Sequence, residues 1–516
     1  MTTDRPSAAP ARHRSPPASE PPSLRDHVHF LLGDEMIELA DFSPTLTVLD
    51  WLRCERRRTG TKEGCNEGDC GACTCVVARP QGDRLSYRAV NACIQLVGTL
   101  DGCQLLTVED VGRAADGGVA LHAAQQAVVD CHGSQCGFCT PGFVMSLFAL
   151  VKTQRRLPPE DKLDDALAGN LCRCTGYAPI VRAARRMYDL HRGDRFDAAE
   201  AATLARLRAL DDGRPVHVRG KDGGSFHSPV ATDALADLRQ RHPDATLVAG
   251  STDVGLWVTK DLQPLNPIIW IGRVSELSRI EATETGLEIG AGVTYTDATA
   301  SLAALYPDFG ELFRRFGSVQ VRNAGTIGGN VANGSPIGDS LPALIATGAT
   351  LHLRRGDTRR SMPLERFFLG YRLQDRRPDE FVERIDVPIP KPGARFRAYK
   401  VAKRFDQDIS AVLGAFLLRV EGGVVVEARL AYGGMAPVPK RAARAEAALL
   451  GRTWDEAALR DAQDAVREDF QPIGDMRASA AYRMTVARNL LLRLHIETNS
   501  PDVETRLVGD RSLARA

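Results

Sequence analysis

The sequence lacks a charge excess of either sign. Its 66 Lys and Arg residues almost balance its 65 Asp and Glu residues, for a formal net charge of +1. This balance gives no electrostatic case for binding nucleic acid or an acidic membrane surface. A long apolar run is also lacking, because the longest, residues 143–151, falls far short of the ~20 residues that a membrane-spanning helix needs. We therefore predict a protein with no nucleic acid and no membrane among its partners.

The first residues lack the features of a secretion signal. Residues 1–25 are rich in Pro, Ala, Ser and Arg, and they contain neither the apolar segment of a signal peptide nor a paired Arg leading into one. This composition predicts a disordered tail and a cytoplasmic protein, whose thiols stay reduced. The twelve cysteines therefore favour metal binding over disulfide bonds.

The most informative stretch is residues 64–73, which read Gly-Cys-Asn-Glu-Gly-Asp-Cys-Gly-Ala-Cys. It places Cys65, Cys70 and Cys73 at C-x4-C-x2-C spacing, and Cys93 follows about twenty residues later. This spacing is typical of a plant-type [2Fe–2S] site. The glycines let the loop turn its N–H groups toward the sulfurs. Zinc or a group of buried thiols is the alternative, although zinc sites usually use paired C-x2-C knuckles.

A second set of cysteines lies in a region, residues 113–190, that we predict to be helical throughout. Its members are Cys136, Cys139, Cys172 and Cys174. Thr140 and Thr175 follow the two pairs as candidate N-caps, so two helix N-termini would face the thiolates and favour an anionic [2Fe–2S] cluster. One alternative is a thioredoxin-like dithiol at the first pair, although no βαβ pattern surrounds that pair. The other is zinc bound by all four cysteines, although C-x-C spacing is tighter than that of a usual zinc knuckle.

The other four cysteines are predicted to be small buried hydrophobic residues. They are Cys54, Cys75, Cys103 and Cys131. Cys75 and Cys131 lie close in sequence to candidate ligands and are therefore alternative ligands.

The region around the first cysteine loop predicts a small α+β domain. Residues 28–39 predict two short strands around a turn at Gly33. Residues 45–57 predict a helix, and residues 75–78 and 86–94 predict two more strands, the second of which carries Cys93. A small sheet, one helix and a cysteine loop indicate a ferredoxin-like β-grasp.

Two glycine-rich segments predict a nucleotide site farther along the chain. Residues 193–225 predict a connector, with a short helix at 198–210, and alternating helices and strands begin at residue 226. The strand 246–249 runs into the small-residue turn 250–255, which exposes backbone N–H groups as a phosphate requires. Residues 322–339 form a second glycine-rich loop, and neither segment is a Walker or Rossmann fingerprint. Together they suit a dinucleotide pyrophosphate; an irregular surface loop is the alternative.

With these motifs the chain resembles the molybdenum hydroxylase family, and within it the iron–sulfur and FAD small subunits of bacterial xanthine dehydrogenases. The resemblance covers residues ~26 to ~500 and adds the motifs Gln-Cys-Gly-Phe-Cys-Thr-Pro-Gly, Asn-Leu-Cys-Arg-Cys-Thr-Gly-Tyr, Thr-Ile-Gly-Gly-Asn and Ser-Pro-Ile-Gly-Asp. It implies a multidomain α+β fold with a β-grasp [2Fe–2S] domain, an all-α [2Fe–2S] domain, a vanillyl-alcohol-oxidase-like FAD domain and an α+β flavoprotein cap. The implied divisions are a tail at 1–25, then 26–112, 113–192, a linker at 193–225, 226–392, 393–500 and a tail at 501–516.

The resemblance also implies the cofactor residues. The two sets of cysteines would each hold one [2Fe–2S] cluster. The FAD contacts carried over from the family are Leu247, Val248, Ala249, Gly250, Ser251, Thr252, Asp253, Val254, Phe316, Thr326, Ile327, Gly328, Gly329, Asn330, Asp339, Val382 and Lys400. Phe316 would lie near the flavin, and Lys400 would tune it.

The implied function is electron transfer from a molybdenum centre through the clusters to FAD and NAD+. No molybdopterin domain follows the cap, so we expect a separate molybdopterin-binding large subunit, in a heterotetramer of two small and two large chains that oxidises hypoxanthine and xanthine to urate in purine catabolism. One alternative is another molybdenum hydroxylase, acting on aldehydes or N-heterocycles with oxygen or another acceptor. A second, of another class, is an iron–sulfur redox sensor.

Overall fold

The computed structural model describes residues 23–115, 118–500 and 502–506. Most of the two predicted tails lies outside these residues. The described part of the chain contains six β-sheets and several helical layers. Within it, no helix combines the length and apolar character needed to cross a bilayer.

The first unit is a five-stranded sheet with a short helical segment packed on it. The sheet has the strand order β2-β1-β5-β3-β4. Its strands are β1 (Val28–Leu32), β2 (Glu35–Leu39), β3 (Thr74–Gln81), β4 (Arg84–Asn91) and β5 (Gln104–Leu106), and its helices are α1 (Val48–Asp50), which continues as a π-helical turn (Trp51–Glu55), and α2 (Val108–Val111). The predicted hairpin at 28–39 is confirmed. The helix predicted at 45–57 begins only at Val48, because the Thr47 hydroxyl caps it by accepting the Asp50 N–H at 3.0 Å.

The second unit is mainly helical, but it opens with a hairpin. The hairpin pairs β6 (Arg113–Ala115) with β7 (Gly118–Ala120). The helices that follow are α3 (Ala123–Asp130), α4 (Thr140–Thr153), α5 (Glu160–Leu167) and α6 (Ala178–Leu190). The prediction of helix throughout 113–190 was therefore wrong at its start, since helix begins only where His122 caps α3 by accepting the Ala124 N–H.

The predicted connector, residues 193–225, contains a long helix. Helix α7 (Arg195–Leu210) runs through it and begins at a capping box formed by Asp194 and Asp197. It buries Phe196, Leu204 and Leu207 in the same hydrophobic cluster as residues of the first sheet. The connector predicted from the sequence thus contains a helix that covers one face of the first unit.

The third unit combines two sheets with short helices. Its first sheet has the order β10-β11-β9-β8, and its second has the order β12-β13-β18-β14-β15. Its elements are β8 (Val216–Arg219), β9 (Ser225–Ser228), α8 (Thr232–Arg241), β10 (Thr246–Val248), α9 (Val254–Thr259), β11 (Ile268–Trp270), β12 (Ile280–Ala282), β13 (Gly286–Gly290), α10 (Tyr295–Leu305), α11 (Asp308–Arg314), α12 (Val319–Ala324), α13 (Ile327–Asn333), α14 (Ser340–Thr347), β14 (Thr350–Arg355), β15 (Thr358–Pro363), β16 (Phe368–Gly370), β17 (Leu373–Gln374) and β18 (Phe381–Pro388). The glycine-rich segment 322–339, predicted as a loop, is largely helical.

The fourth unit is a four-stranded antiparallel sheet covered by helices. Its elements are β19 (Ala394–Val401), β20 (Val412–Glu421), β21 (Val424–Gly433), β22 (Lys440–Arg441), α15 (Ala443–Leu449), α16 (Glu456–Asp469) and α17 (Ala480–Asn499). One apolar cluster is shared between the third and fourth units, with Leu413 and Ala415 of β20 packed among residues such as Leu344 of α14. The two units are therefore held together by a continuous core.

Two residues assigned from sequence to the tails are buried in ion pairs. Arg25 is 1% exposed and donates to both oxygens of Asp101 at 2.7 Å. Arg506 is 6% exposed and donates to Asp308 at 2.8 Å. Arg25 and Arg506 are therefore part of the folded protein, although both lie in segments that the sequence assigned to tails.

Candidate cofactor sites

The first cysteine loop directly precedes β3, and its three candidate ligands lie near Cys93, which follows β4. The Sγ atoms of Cys73 and Cys93 are 3.3 Å apart. Cys65 Sγ accepts N–H groups from Asp69 at 3.4 Å and Cys70 at 3.3 Å. Cys93 lies in the turn after β4, which ends at Asn91, so the prediction that it sits on the strand was wrong. A turn gives the fourth thiol freedom to face the loop.

The electrostatics of this loop suit an anionic group. The Cys70 thiol, followed by the N–H groups of Cys70, Glu67 and Asp69, lowers the pKa of Cys65 to about 5 against the effect of burial. Gly68 and Gly71 have φ values of 77° and 70°. That conformation turns successive N–H groups inward, as a cluster with charged sulfurs requires.

The second set of cysteines also converges, as two neighbouring pairs. The Cys136 thiol raises the pKa of Cys174, while burial and then the Cys172 thiol raise the pKa of Cys139 to about 12. Cys136 and Cys174 are exposed, and the other two are partly buried. The four thiols thus meet at the surface of the helical unit.

The predicted caps of the two helices at this site were wrong. Cys139 itself is the N-cap of α4, because the Thr140 hydroxyl donates instead to Ser134 at 2.7 Å. Thr175 precedes the Tyr177 N-cap of α6, and its hydroxyl lies 3.2 Å from Cys172 Sγ. The second threonine therefore contacts a candidate ligand directly.

The two cysteine sites adjoin each other through backbone contacts. The Leu171 N–H donates to the Cys70 carbonyl at 2.9 Å. The Asn170 side chain donates to the Gly71 carbonyl at 3.0 Å. A Cβ at Gly71 would lie 2.1 Å from the Gly169 carbonyl oxygen, so only glycine permits this approach. A single hydrogen bond therefore joins Leu171, which directly precedes Cys172, to Cys70 of the first set.

The remaining cysteines divide by burial. Cys75 and Cys103 are fully buried, as predicted, and Cys131 is intermediate. Cys54 is exposed, so its predicted burial was wrong. The Cys75 thiol faces the Val90 carbonyl at 3.9 Å within the sheet, and burial raises its pKa well above the ordinary range.

A group that the sequence did not suggest consists of His122, His191 and Asp194, whose ligand atoms lie within 4.8 Å of one another. His122 Nδ1 accepts the Ala124 N–H, and its Nε2 lies 3.0 Å from Asp194. The buried Lys152 ammonium also lies 3.0 Å from Asp194. These groups already neutralise one another, so we interpret them as a buried ion-pair cluster between α3, α4 and α7 rather than a metal site.

A large cavity lies between the two sheets of the third unit. It has a volume of about 540 Å³, within the range of ligand pockets. Both glycine-rich segments contribute to its wall. The predicted residues that line it are Leu247, Ala249, Gly250, Ser251, Thr252, Asp253, Val254, Phe316, Thr326, Gly328, Gly329, Asn330 and Val382.

The wall of this cavity is built for a close backbone approach. A Cβ at Gly250 would lie 1.8 Å from the Ala324 carbonyl oxygen. Ser251 has a φ of 61°, and its Oγ is buried without a hydrogen-bond partner among the described residues. Thr326 caps α13 by accepting the Gly329 N–H at 2.9 Å. An extended polar ligand such as FAD would satisfy the unpartnered hydroxyl and fill the glycine-lined wall.

Four predicted FAD residues lie outside the cavity lining. Val248 and Ile327 are fully buried in apolar clusters. Lys400 donates to Asp339 at 2.5 Å and to Ser410 at 2.9 Å, and Ser410 donates to the other oxygen of Asp339 at 2.6 Å. The side chains of Lys400 and Asp339 are 2% and 5% exposed. This buried triad joins β19 to the start of α14, behind the cavity wall.

Several lining residues were not anticipated from the sequence. Tyr295 packs against Phe316 with ring centroids 4.2 Å apart. Arg239, Arg376 and Ile409 also line the cavity. Burial, and then the charge of Arg376, lowers the pKa of Arg239 to about 10. The position of Tyr295, just after the turn that follows β13, could have suggested that it lines the cavity. No local sequence pattern marks Arg239, Arg376 or Ile409 as lining residues.

Three family models match the chain. The FAD binding domain in molybdopterin dehydrogenase matches residues 221–390, which contain the cavity. The CO dehydrogenase flavoprotein C-terminal domain matches residues 397–498. The [2Fe-2S] binding domain matches residues 107–185, which contain the second set of cysteines.

Whole-chain similarity extends across both cysteine sites and the cavity. Xanthine dehydrogenase 1 of Arabidopsis thaliana is 31% identical over 85% of this chain and 38% of its own length. Aldehyde oxidase 1 of Rattus norvegicus is 30% identical over 93% of this chain and 40% of its own length. The chain therefore spans about two fifths of the length of the curated relatives that it matches.

A solved structure of the carbon monoxide dehydrogenase from Hydrogenophaga pseudoflava is similar to part of the chain. Sequence identity is 31% and the TM-score is 0.50, over 52% of this chain and 94% of the solved chain. These similarities and the site geometry agree on [2Fe–2S] and FAD-binding domains in a multidomain α+β fold.

Proposed function

Because the chain belongs to the molybdenum hydroxylase family, we propose that it is the electron-transfer component of such an enzyme. In this proposal it passes electrons from a molybdenum centre on a large partner subunit, through two [2Fe–2S] sites, to FAD and on to NAD+. The single observation that carries it is the presence, in one folded chain, of two adjoining sets of four cysteines and a glycine-walled cavity.

Eight cysteines would hold the two clusters. They are Cys65, Cys70, Cys73 and Cys93 in the first set and Cys136, Cys139, Cys172 and Cys174 in the second. When bound, the clusters and FAD would supply one-electron transfer and hydride transfer respectively. The N–H groups on Cys65 and the Thr175 hydroxyl on Cys172 would stabilise negative charge on sulfur.

The cavity residues would bind and orient FAD. The backbone of Gly250 and Ser251 would lie against its pyrophosphate, and Val382 and Phe316 would contact its rings. Lys400 and Asp339 would act from behind the wall, by fixing the start of α14 against β19. Tyr295 would hold Phe316 in place by ring packing.

Exposure supports the proposed order of the two sites. Cys136 and Cys174 are exposed, whereas Cys73 and Cys93 are buried. The second site would therefore face the large subunit, and the first would lie between it and the FAD cavity. Assembly as a heterotetramer of two small and two large chains is part of the same proposal.

The proposed reaction is NAD+-dependent oxidation of hypoxanthine and xanthine to urate, in purine catabolism. It is supported by the xanthine dehydrogenases among the relatives, which align over 84–94% of this chain. A second candidate is an aldehyde or N-heterocycle oxidoreductase using oxygen or another acceptor, since the rat aldehyde oxidase aligns over 93% of the chain at 30% identity.

The test is to co-express the chain with a candidate molybdopterin-binding large subunit and purify the complex. We expect the two chains to co-purify and xanthine to support NADH formation. Xanthine oxidation that yields no NADH would reject NAD+ as acceptor. Oxidation of aldehydes without oxidation of xanthine would favour the second candidate, and a complex that never forms would reject the division into two subunits.

A further inference from the structure

One buried amide, that of Gln320, touches both cysteine units from the FAD unit. Gln320 lies on α12 and is 1% exposed. Its Nε2 donates to Thr74 Oγ1 at 3.1 Å, to Asn170 Oδ1 at 3.1 Å and to Ser146 Oγ at 3.3 Å. Thr74 belongs to the first cysteine unit, and Asn170 and Ser146 belong to the helical unit.

The three partners of this amide can only accept hydrogen bonds from it. The Thr74 hydroxyl donates to the Gly71 carbonyl at 2.6 Å, and the Ser146 hydroxyl donates to Asn170 Oδ1 at 2.6 Å. A primary amide has two N–H groups, so two of the three acceptors must share one N–H. The contact to Ser146 is the longest, and we assign it as the weaker part of the shared bond. Replacement of the amide would remove the hydrogen bonds that α12 donates to the two cysteine units.

Each partner lies beside a candidate cofactor residue. Thr74 directly follows Cys73, and Asn170 is two residues before Cys172. On the other side, Gln320 directly precedes Val321, which lines the FAD cavity. A displacement of the amide would therefore move the cavity wall relative to both cysteine loops.

Backbone packing restricts the position of the amide further. A Cβ at Gly169 would lie 2.0 Å from Gln320 Oε1. That oxygen is buried and has no hydrogen-bond partner in the part of the chain that is described. The position of the Gln320 side chain is therefore fixed from one side by the Gly169 backbone and from the other by its three hydrogen-bond acceptors.

We infer that Gln320 is a positioning residue that sets the distance between the flavin and the iron–sulfur clusters. The inference rests on the proposed function, because it requires both cofactors to be bound. We expect the distance between the two clusters to be held separately, because the bonds from Asn170 to Gly71 and Thr74 do not involve Gln320.

The test compares Gln320→Leu, which keeps the size but removes the donors, with Ser146→Ala. The second variant removes the acceptor of the longest contact and the Ser146 bond to Asn170, but it keeps the contacts of Gln320 with Thr74 and Asn170. The purified holoprotein is given one electron per molecule by flash photoreduction. Transfer of that electron is followed by absorbance as the reduced flavin is reoxidised and a cluster is reduced. The magnetic interaction between the two reduced clusters is measured separately by electron paramagnetic resonance.

We expect flavin-to-cluster transfer in Gln320→Leu to be several-fold slower, because the rate of electron tunnelling falls as the distance between the two cofactors increases. The cluster–cluster interaction should stay at its wild-type value, and Ser146→Ala should behave like wild type. An unchanged transfer rate, or an equal change in the cluster–cluster interaction, would overturn the inference.

Gly169→Ala provides a second approach from the helical unit if Gln320→Leu does not fold. The added methyl group would displace the Gln320 amide, so this variant should slow flavin-to-cluster transfer without changing the cluster–cluster interaction. An unchanged transfer rate would contradict the inference. Wild-type protein without flavin or without iron would instead reject the proposed function, and the inference with it.

Discussion

The buried triad of Lys400, Asp339 and Ser410 makes a quantitative prediction about stability. The two charged side chains are 2% and 5% exposed and 2.5 Å apart, and Ser410 bonds both of them. Lys400→Met leaves the Asp339 carboxylate buried without its cation. Removal of one partner from such a pair costs ~3–5 kcal/mol. Asp339→Leu should lower the free energy of unfolding by a similar amount, because it leaves the Lys400 ammonium buried without its carboxylate.

The double variant Lys400→Met/Asp339→Leu distinguishes this account from a simple loss of packing. It removes both charges together, so it should lose less stability than either single variant. The assay is urea unfolding followed by far-UV circular dichroism and by the fluorescence of released flavin. Each single variant should lower the urea midpoint by about 1 M or more, given a denaturant slope near the top of the usual range.

The matched control is Lys391→Met, because Lys391 pairs with Glu427 at 3.0 Å while its side chain is 64% exposed. Exposed pairs are worth ~0–1 kcal/mol, so the midpoint should barely change. A double variant whose loss equals the sum of the two single losses would refute the reasoning, since it would mean that the two charges do not depend on each other.

Three further predictions concern the cofactor sites and pH. Cys73→Ser should remove one cluster and about half of the iron, measured by metal analysis, whereas the exposed Cys54→Ser should keep all of it. Gly250→Ala places a Cβ 1.8 Å from the Ala324 carbonyl, so the purified protein should lose most of its flavin absorbance. Burial, and then His217 and His242, lowers the pKa of His227 to about 3 from its ordinary 6.5. The unfolded chain then binds more protons than the folded one below pH 6.5, so stability is full above that pH and falls as the pH drops toward 3. Thermal unfolding at pH 7 and pH 5 should show a loss of about 1–2 kcal/mol that is smaller in His227→Leu; equal losses in both proteins would contradict it.

The sequence predicted best where the chemistry demands a local pattern. The C-x4-C-x2-C loop and the C-x2-C and C-x-C pairs identified eight cysteines that the fold brings into two groups, because several ligands of a cluster must come from one short loop. The strand and turn at 246–255 and the fold class were also predictable, since alternation and glycine content are visible in the chain.

Residues brought together only by tertiary packing could not be predicted in this way. Arg376 and Ile409 reach the cavity from a loop before β18 and a loop before β20, and nothing in their local sequence marks them. Gln320 looks like an ordinary helical residue until Thr74 and Asn170 are placed beside it. The predicted Thr140 cap was wrong for a local reason, because the Thr140 hydroxyl donates to Ser134, six residues earlier in the chain.

The central claim is that one chain carries two [2Fe–2S] clusters and FAD in series. The most direct measurement is the iron and flavin content of the purified protein, together with electron paramagnetic resonance of the reduced form. We predict about four iron atoms per flavin and two distinct cluster signals. About two iron atoms per flavin, zinc in place of iron, or iron without flavin would contradict the account.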